Sequence, residues 1–211
     1  MAESTFPDPG KRDRILDRAF ESFLRFGFRK TSMDEVARAA AISRQGLYLY
    51  FENKEALFRS TMEKHLSDAL TAVEVQLART APLEDRLKAV FDIWFGSHAG
   101  APGLQTEDLL QQASDLVGDL LIRYRAAILS RLEAAIAASP LAARLAALGL
   151  EPMDAARTLH ACGLTWKRTC ANLAEFAERM AAAIRLTAGG TPAGRPSISD
   201  PQKTIPSPVK G

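Results

Sequence analysis

Apolar side chains recur at helical spacing along nearly the whole chain. Between Lys11 and Phe28 the sets Ile15, Ala19, Phe23 and Leu16, Phe20, Leu24 repeat at i, i+4, i+8 and form one stripe. Gly27 stands where a helix C-terminus wants an unhindered residue. A second start follows at once: Ser32 and Glu35 have capping-box spacing, and Thr31 can cap as well. That helix, carrying Val36 and Ala37, must be short, because Ser43 offers a new N-cap 11 residues after Ser32. Asn53 repeats the signal before Lys54 and opens a long helix reaching to about Arg79. The connections leave room only for tight turns.

Pro82, at a first-turn position, starts the next helix through Trp94 and Phe95, and the stretch from Gly96 to Gly103 breaks it. Thr106 begins a further helical stretch to Ser139 and Pro140, with Gly118 as a candidate interruption. A short piece, Leu141–Leu148, ends at Gly149. Pro152 begins the last long segment, Met153 to Thr187, open to division near Ala171 and Asn172. From Gly189 the composition turns to Gly, Pro, Ser and Thr, which reads as a disordered tail. No strand pattern and no repeat competes, so the fold class is all-α. The expected division is 1–55, 56–188 and a tail at 189–211.

Composition narrows this little. The 211 residues are 47% hydrophobic and 25% charged, enough apolar content for a packed core. No run approaches the roughly 18 apolar residues of a membrane span, and the opening MAESTFPDPG lacks a secretory pattern. Cys162 and Cys170 are too few for a disulfide framework, so a reducing cytoplasm is expected. Residues 1–60 carry 11 Lys/Arg against 9 Asp/Glu, and residues 61–190 carry 13 against 15. That asymmetry is far too mild to indicate a nucleic-acid partner by itself.

Residues 31–58 say more. Two short helices crossing steeply need small residues at the contact, and Ala37, Ala40 and Ala41 supply them. Ile42 can plug the crossing. Ser43 then caps a helix opening with Arg44 and Gln45, the side chains suited to guanine and adenine edges in the major groove. Gly46 is unfavourable inside a helix, which fits a backbone lying close to another surface such as DNA. Lys54 opposes the dipole at a helix start, a mismatch that favours an anionic partner.

This stretch resembles the tetracycline-repressor (TetR) family of bacterial regulators. The likeness lies in Thr31, in Val36-Ala37, and above all in the run SRQGLYLYFENKEALF from Ser43 to Phe58. It covers about fifty residues, the remainder matching only in helicity and length. The family usually has Gly where Ala41 stands. The resemblance implies an N-terminal three-helix DNA-binding domain with a helix-turn-helix, followed by a helical bundle for ligand binding and dimerisation. It implies that Ser43, Arg44, Gln45 and Gly46 approach the bases and that Thr31, Tyr48, Tyr50 and Lys54 contact phosphates. It further implies a homodimer through roughly 152–187, a palindromic operator, and a small-molecule effector held among the C-terminal helices. Trp94, Phe95, His98 and Trp166 are then candidate pocket residues, although core packing is the default reading of such residues.

Other chemistry finds no support. His65, His98 and His160 show no ligand spacing, so no metal is expected, and no cofactor. Cys162, Trp166 and Cys170 share a helix face that reads as packing before it reads as a redox sensor. No nucleophile–base pair or phosphate loop stands out, so no enzyme is expected. The expected function is a ligand-responsive repressor. The rivals are an activator, a regulator answering to a protein partner, and a helical interaction protein keeping a relic domain.

Overall fold

The computed structural model describes residues 9–95 and 114–188, and within them the chain is helical with no strand. The helices are α1 (Pro9–Lys30), α2 (Met33–Ala39), α3 (Arg44–Tyr48), α4 (Lys54–Leu77), α5 (Leu83–Trp94), α6 (Ser114–Ala137), α7 (Leu141–Ala147), α8 (Pro152–Thr169) and α9 (Leu173–Ala188).

Local signals fix most boundaries. Gly27 breaks α1 with φ 80° and ψ 161°, a left-handed backbone that glycine adopts without penalty. Ser32 and Glu35 form the reciprocal capping box: the Ser32 N–H donates to Glu35 Oε2 at 2.7 Å and the Glu35 N–H to Ser32 Oγ at 3.2 Å. Asn53 Oδ1 accepts the Ala56 N–H at 2.7 Å to start α4. Pro82 sits one residue earlier than expected, as the N-cap of α5. Gly118 does not interrupt α6, which runs through it unbroken, since one glycine costs a packed helix only about 1 kcal/mol. The 152–188 segment does divide, at Cys170–Asn172, where Asn172 Oδ1 caps α9 through the Glu175 N–H at 2.9 Å. The expected break at 96–103, the start at Thr106 and the tail at 189–211 lie outside the described residues.

Two apolar cores form. The first takes Ile15, Leu16, Ala19 and Phe23 of α1, Val36 of α2, Leu47 of α3 and Phe51. It does not stop at residue 55: Leu57, Phe58 and Met62 of α4 belong to it, as do Val117 and Leu120 of α6. The second gathers Val73, Phe91, Ile128, Leu132, Leu159, Phe176 and Ile184 from α4, α5, α6, α8 and α9. Helix α4 therefore enters both cores. Arg59 reinforces the joint, its guanidinium gripping Asp119 of α6 at 2.8 and 2.7 Å and the Leu116 carbonyl at 2.6 Å. No single helix among the described residues is long and apolar enough to cross a membrane.

Candidate nucleic-acid interface and an adjoining cavity

Helix α3 is five residues long and could not persist alone. It is held by burial of Leu47 beneath it and by Ser43, whose Oγ accepts the Gly46 N–H at 3.0 Å. A Cβ on Gly46 would lie 3.1 Å from that oxygen, so glycine there has a local reason: it leaves room for the cap. The turn before it places Ala41 at φ 53°, in the left-handed region, and directs Ile42 toward the N-terminal core.

Ser43, Arg44, Gln45 and Tyr48 are exposed on this short helix. Arg44 Nη1 lies 3.1 Å from Asp34 Oδ2 of α2, and its guanidinium sits 5.7 Å from the centre of the Tyr48 ring. A hydrogen bond to Tyr48, and then the Asp34 carboxylate, hold the guanidinium charged. No sequence pattern singles out Asp34; ten residues separate it from Arg44, and only the crossing of α2 and α3 brings them together.

The other expected contacts divide. Tyr48 is 42% exposed, whereas Tyr50 is half-buried against the N-terminal core. Thr31 is buried, and its hydroxyl donates to the Gly27 carbonyl at 2.8 Å, so its side chain is withdrawn from the surface where phosphates would lie. Lys54 Nζ donates to the Phe28 and Arg29 carbonyls at 3.1 and 3.4 Å and stands 4.5 Å from the Phe28 ring centre. The lysine that opens α4 thus closes the end of α1, which explains a cation at a helix start that the dipole disfavours.

A cavity of about 550 Å³ lies among α4, α5, α6 and α8 and reaches Phe20 of α1. Trp94 and Phe95 line it; Trp166 does not, and instead faces a depression between α8 and α9 beside Cys162 and Arg179. His98 lies outside the described residues. Tyr124, Arg125, His160 and Lys167 also line the cavity, and no motif singles them out as a group. The one available signal was the i, i+4, i+7 spacing of His160, Leu164 and Lys167 on α8. Trp94 lies 4.7 Å from the His160 ring and meets Tyr124 edge-on at 6.5 Å. Burial pushes the Tyr124 hydroxyl up to about 12, leaving it a neutral donor, and lowers His160, with the Arg125 charge adding to that effect. At the α1 end Phe20 stacks on His65 with centroids 3.5 Å apart. No group of His, Cys, Asp or Glu among the described residues could hold a metal ion.

An exposed, capped helix crossing a second short helix, seated on its own core, defines a helix-turn-helix DNA-binding domain. Residues 15–61 match the family model "Bacterial regulatory proteins, tetR family". The chain carries the N-terminal DNA-binding domain of the TetR family of transcription regulators. It is 29% identical over 89 residues to the transcriptional activator FasR of Mycolicibacterium smegmatis, covering 42% of this chain and 41% of FasR. It is 31% identical over 91 residues to the transcriptional regulator RutR of Escherichia coli, covering 39% of this chain and 43% of RutR. The chain thus spans less than half the length of these curated relatives. The solved structure of the regulator FadR from Bacillus subtilis, in complex with stearoyl-CoA, shares the fold at a TM-score of 0.58 and 17% identity, covering 85% of this chain and 98% of that one.

Proposed function

We propose that this protein is a homodimeric transcriptional repressor whose grip on a palindromic operator answers to a small molecule held in the cavity. One observation carries the reading: Arg44 and Gln45 stand exposed at the start of a capped helix whose supporting core shares α4 with the cavity-bearing half. In this reading Ser43, Arg44, Gln45 and Gly46 face the bases, and Tyr48, Tyr50 and Lys54 meet phosphates. The three-helix unit reads DNA, and the helices beyond it dimerise and hold the ligand. Dimerisation through α8 and α9 is supported by exposed Leu173 and Leu186 and by the depression around Trp166. A cavity of this size lies within the roughly 300–1,000 Å³ of small-molecule sites. In FadR a molecule of the same fold holds stearoyl-CoA, which supports a ligand among these helices. The protein acts in the cytoplasm.

Repression follows if the ligand prefers the conformer whose two α3 helices no longer match successive major grooves. The test is gel-shift binding to the DNA upstream of the protein's own gene, with wild type and Arg44→Ala. Salt-dependent binding of wild type is expected, weakened about tenfold or more by the substitution, with relaxed preference at one base pair. Absence of binding at moderate salt to that and the neighbouring promoters would sink the reading. A second reading, activation, is favoured by the name of FasR. A reporter placed behind the bound promoter separates the two by the sign of its response when the protein is deleted.

A further inference from the structure

We propose that the cavity selects an organic anion, an apolar body carrying one carboxylate that is received by Arg125 with help from Lys167. The inference rests on the reading of this cavity as the effector site and names the chemistry of what fills it.

The body of the site is apolar: Met62, Leu66, Ile93, Trp94 and Leu121 leave little for a polar molecule to bond to. Its charges are unevenly signed. Arg125 of α6 and Lys167 of α8 come from two helices that pack on each other and open into the same space. Asp68 is the one carboxylate in the lining, and it already accepts Lys64 Nζ at 2.8 Å. Arg125 makes no ion pair among the described residues, and it sits close enough to His160 to hold that imidazole toward its neutral form. Lys167 has bonding of its own and serves here as a second positive charge. Tyr124, beside Arg125, stays protonated and can donate to an oxygen.

A carboxylate moved from water into such a site is unfavourable unless paired and hydrogen-bonded, and a guanidinium offers that pairing in two parallel bonds. A cation in the ligand would meet Arg125 and Lys167 with like charge. A neutral apolar ligand would use the aromatic wall of Trp94 but gain nothing from the guanidinium, which is exposed at the rim of the cavity. The anion alone satisfies both halves of the lining.

The test uses the full chain and two matched pairs of probes: decanoate with decanamide, and naphthalene-2-carboxylate with its carboxamide. Binding is read by calorimetry and by tryptophan emission, since Trp94 is in the cavity wall. Each acid should bind about tenfold or more tightly than its amide. Arg125→Gln should bring the acid down to the amide while leaving the amide unchanged, and Arg125→Lys should restore part of the difference. Arg123→Gln, which alters an exposed arginine bound to Asp119, should keep the full preference. Equal binding of acid and amide, or a preference that survives Arg125→Gln, overturns the anion and leaves the effector cavity standing. Failure of all four probes to bind in the millimolar range overturns the effector reading and this inference with it.

Discussion

Lys54 Nζ lies 3.1 Å from the Phe28 carbonyl oxygen and 4.5 Å from the centre of the same residue's ring. One side chain thereby bonds the first residue of α4 to the end of α1, across 26 positions of sequence, and fixes the frame on which α2 and α3 sit. Replacing it with Met keeps the apolar stem and removes the ammonium. Lys54→Met should lower stability to urea by about 1–2 kcal/mol, the scale of a charged hydrogen bond with a cation–π contact. In the proposed reading the ammonium also meets phosphate, so the salt dependence of DNA binding should fall by about one charge. Destabilisation with an unchanged salt slope would confine Lys54 to bracing α1.

Ala41 stands at φ 53°, where an L residue crowds its own carbonyl. Left-handed backbone costs such a residue roughly 1–2 kcal/mol. Glycine removes that cost and adds about 0.4–1 kcal/mol of unfolded-state entropy. Ala41→Gly should therefore stabilise the protein by roughly 0.5–1 kcal/mol, read as a higher urea midpoint at unchanged slope. A lower midpoint would mean that the methyl group contributes packing at the crossing beyond what its exposure indicates.

Gly163 of α8 has the opposite character. A Cβ built there falls 2.7 Å from both Cδ2 and Cε2 of Phe95, whose ring is buried in the second core. Alanine is better than glycine in a helix by about 1 kcal/mol, but overpacking a core costs about 1–3 kcal/mol. Phe95 is wedged between Trp94 and Phe176, with ring centres 5.0 and 6.3 Å away, so it has little room to yield. Gly163→Ala should lower stability by about 1 kcal/mol and perturb Trp94 emission, since the displaced ring presses on its neighbour. Stability equal to or above wild type would show that Phe95 moves without resistance.

How much of this was legible beforehand follows from the range of each interaction. The caps at Ser32, Ser43 and Asn53, the break at Gly27 and the division before α9 rest on neighbours within four residues, and each could be read from the string. Gly118 has the propensity of a helix breaker, but propensity alone carries nothing of the tertiary packing of α6, which continues through it. Thr31 looked available as a small polar residue at a helix start, yet the turn after Gly27 folds its hydroxyl inward. Trp166 and Trp94 were indistinguishable as lone aromatics on amphipathic helices, and only the assembled bundle sends them to different places. Arg44 with Asp34, and Arg125 with Lys167, depend on helix crossings that no spacing rule encodes.

His65 and His160 set the pH dependence of stability. Burial lowers the pKa of both below the ordinary 6.5, with the Lys64 ammonium adding to the effect at His65 and the Arg125 guanidinium at His160. His65 Nε2 is buried without a hydrogen-bond partner among the described residues, so a proton there gains only the Asp17 carboxylate 3.9 Å away and the field of Asp68. With the folded pKa depressed, the unfolded chain binds more protons once the pH drops below about 6.5. Stability is therefore full above that value and is lost progressively as the pH falls toward the folded-state pKa of each imidazole. Asp119, held far below the usual carboxylate range chiefly by its hydrogen bonds to Arg59, loses its contribution in a separate window at still lower pH. Urea midpoints taken from about pH 8 to about pH 2 should be level at first and then decline. In the double variant His65→Gln, His160→Gln the decline between about pH 6.5 and pH 5 should flatten, while the acid limb set by Asp119 remains. An undiminished decline in the double variant would assign the pH dependence to other groups.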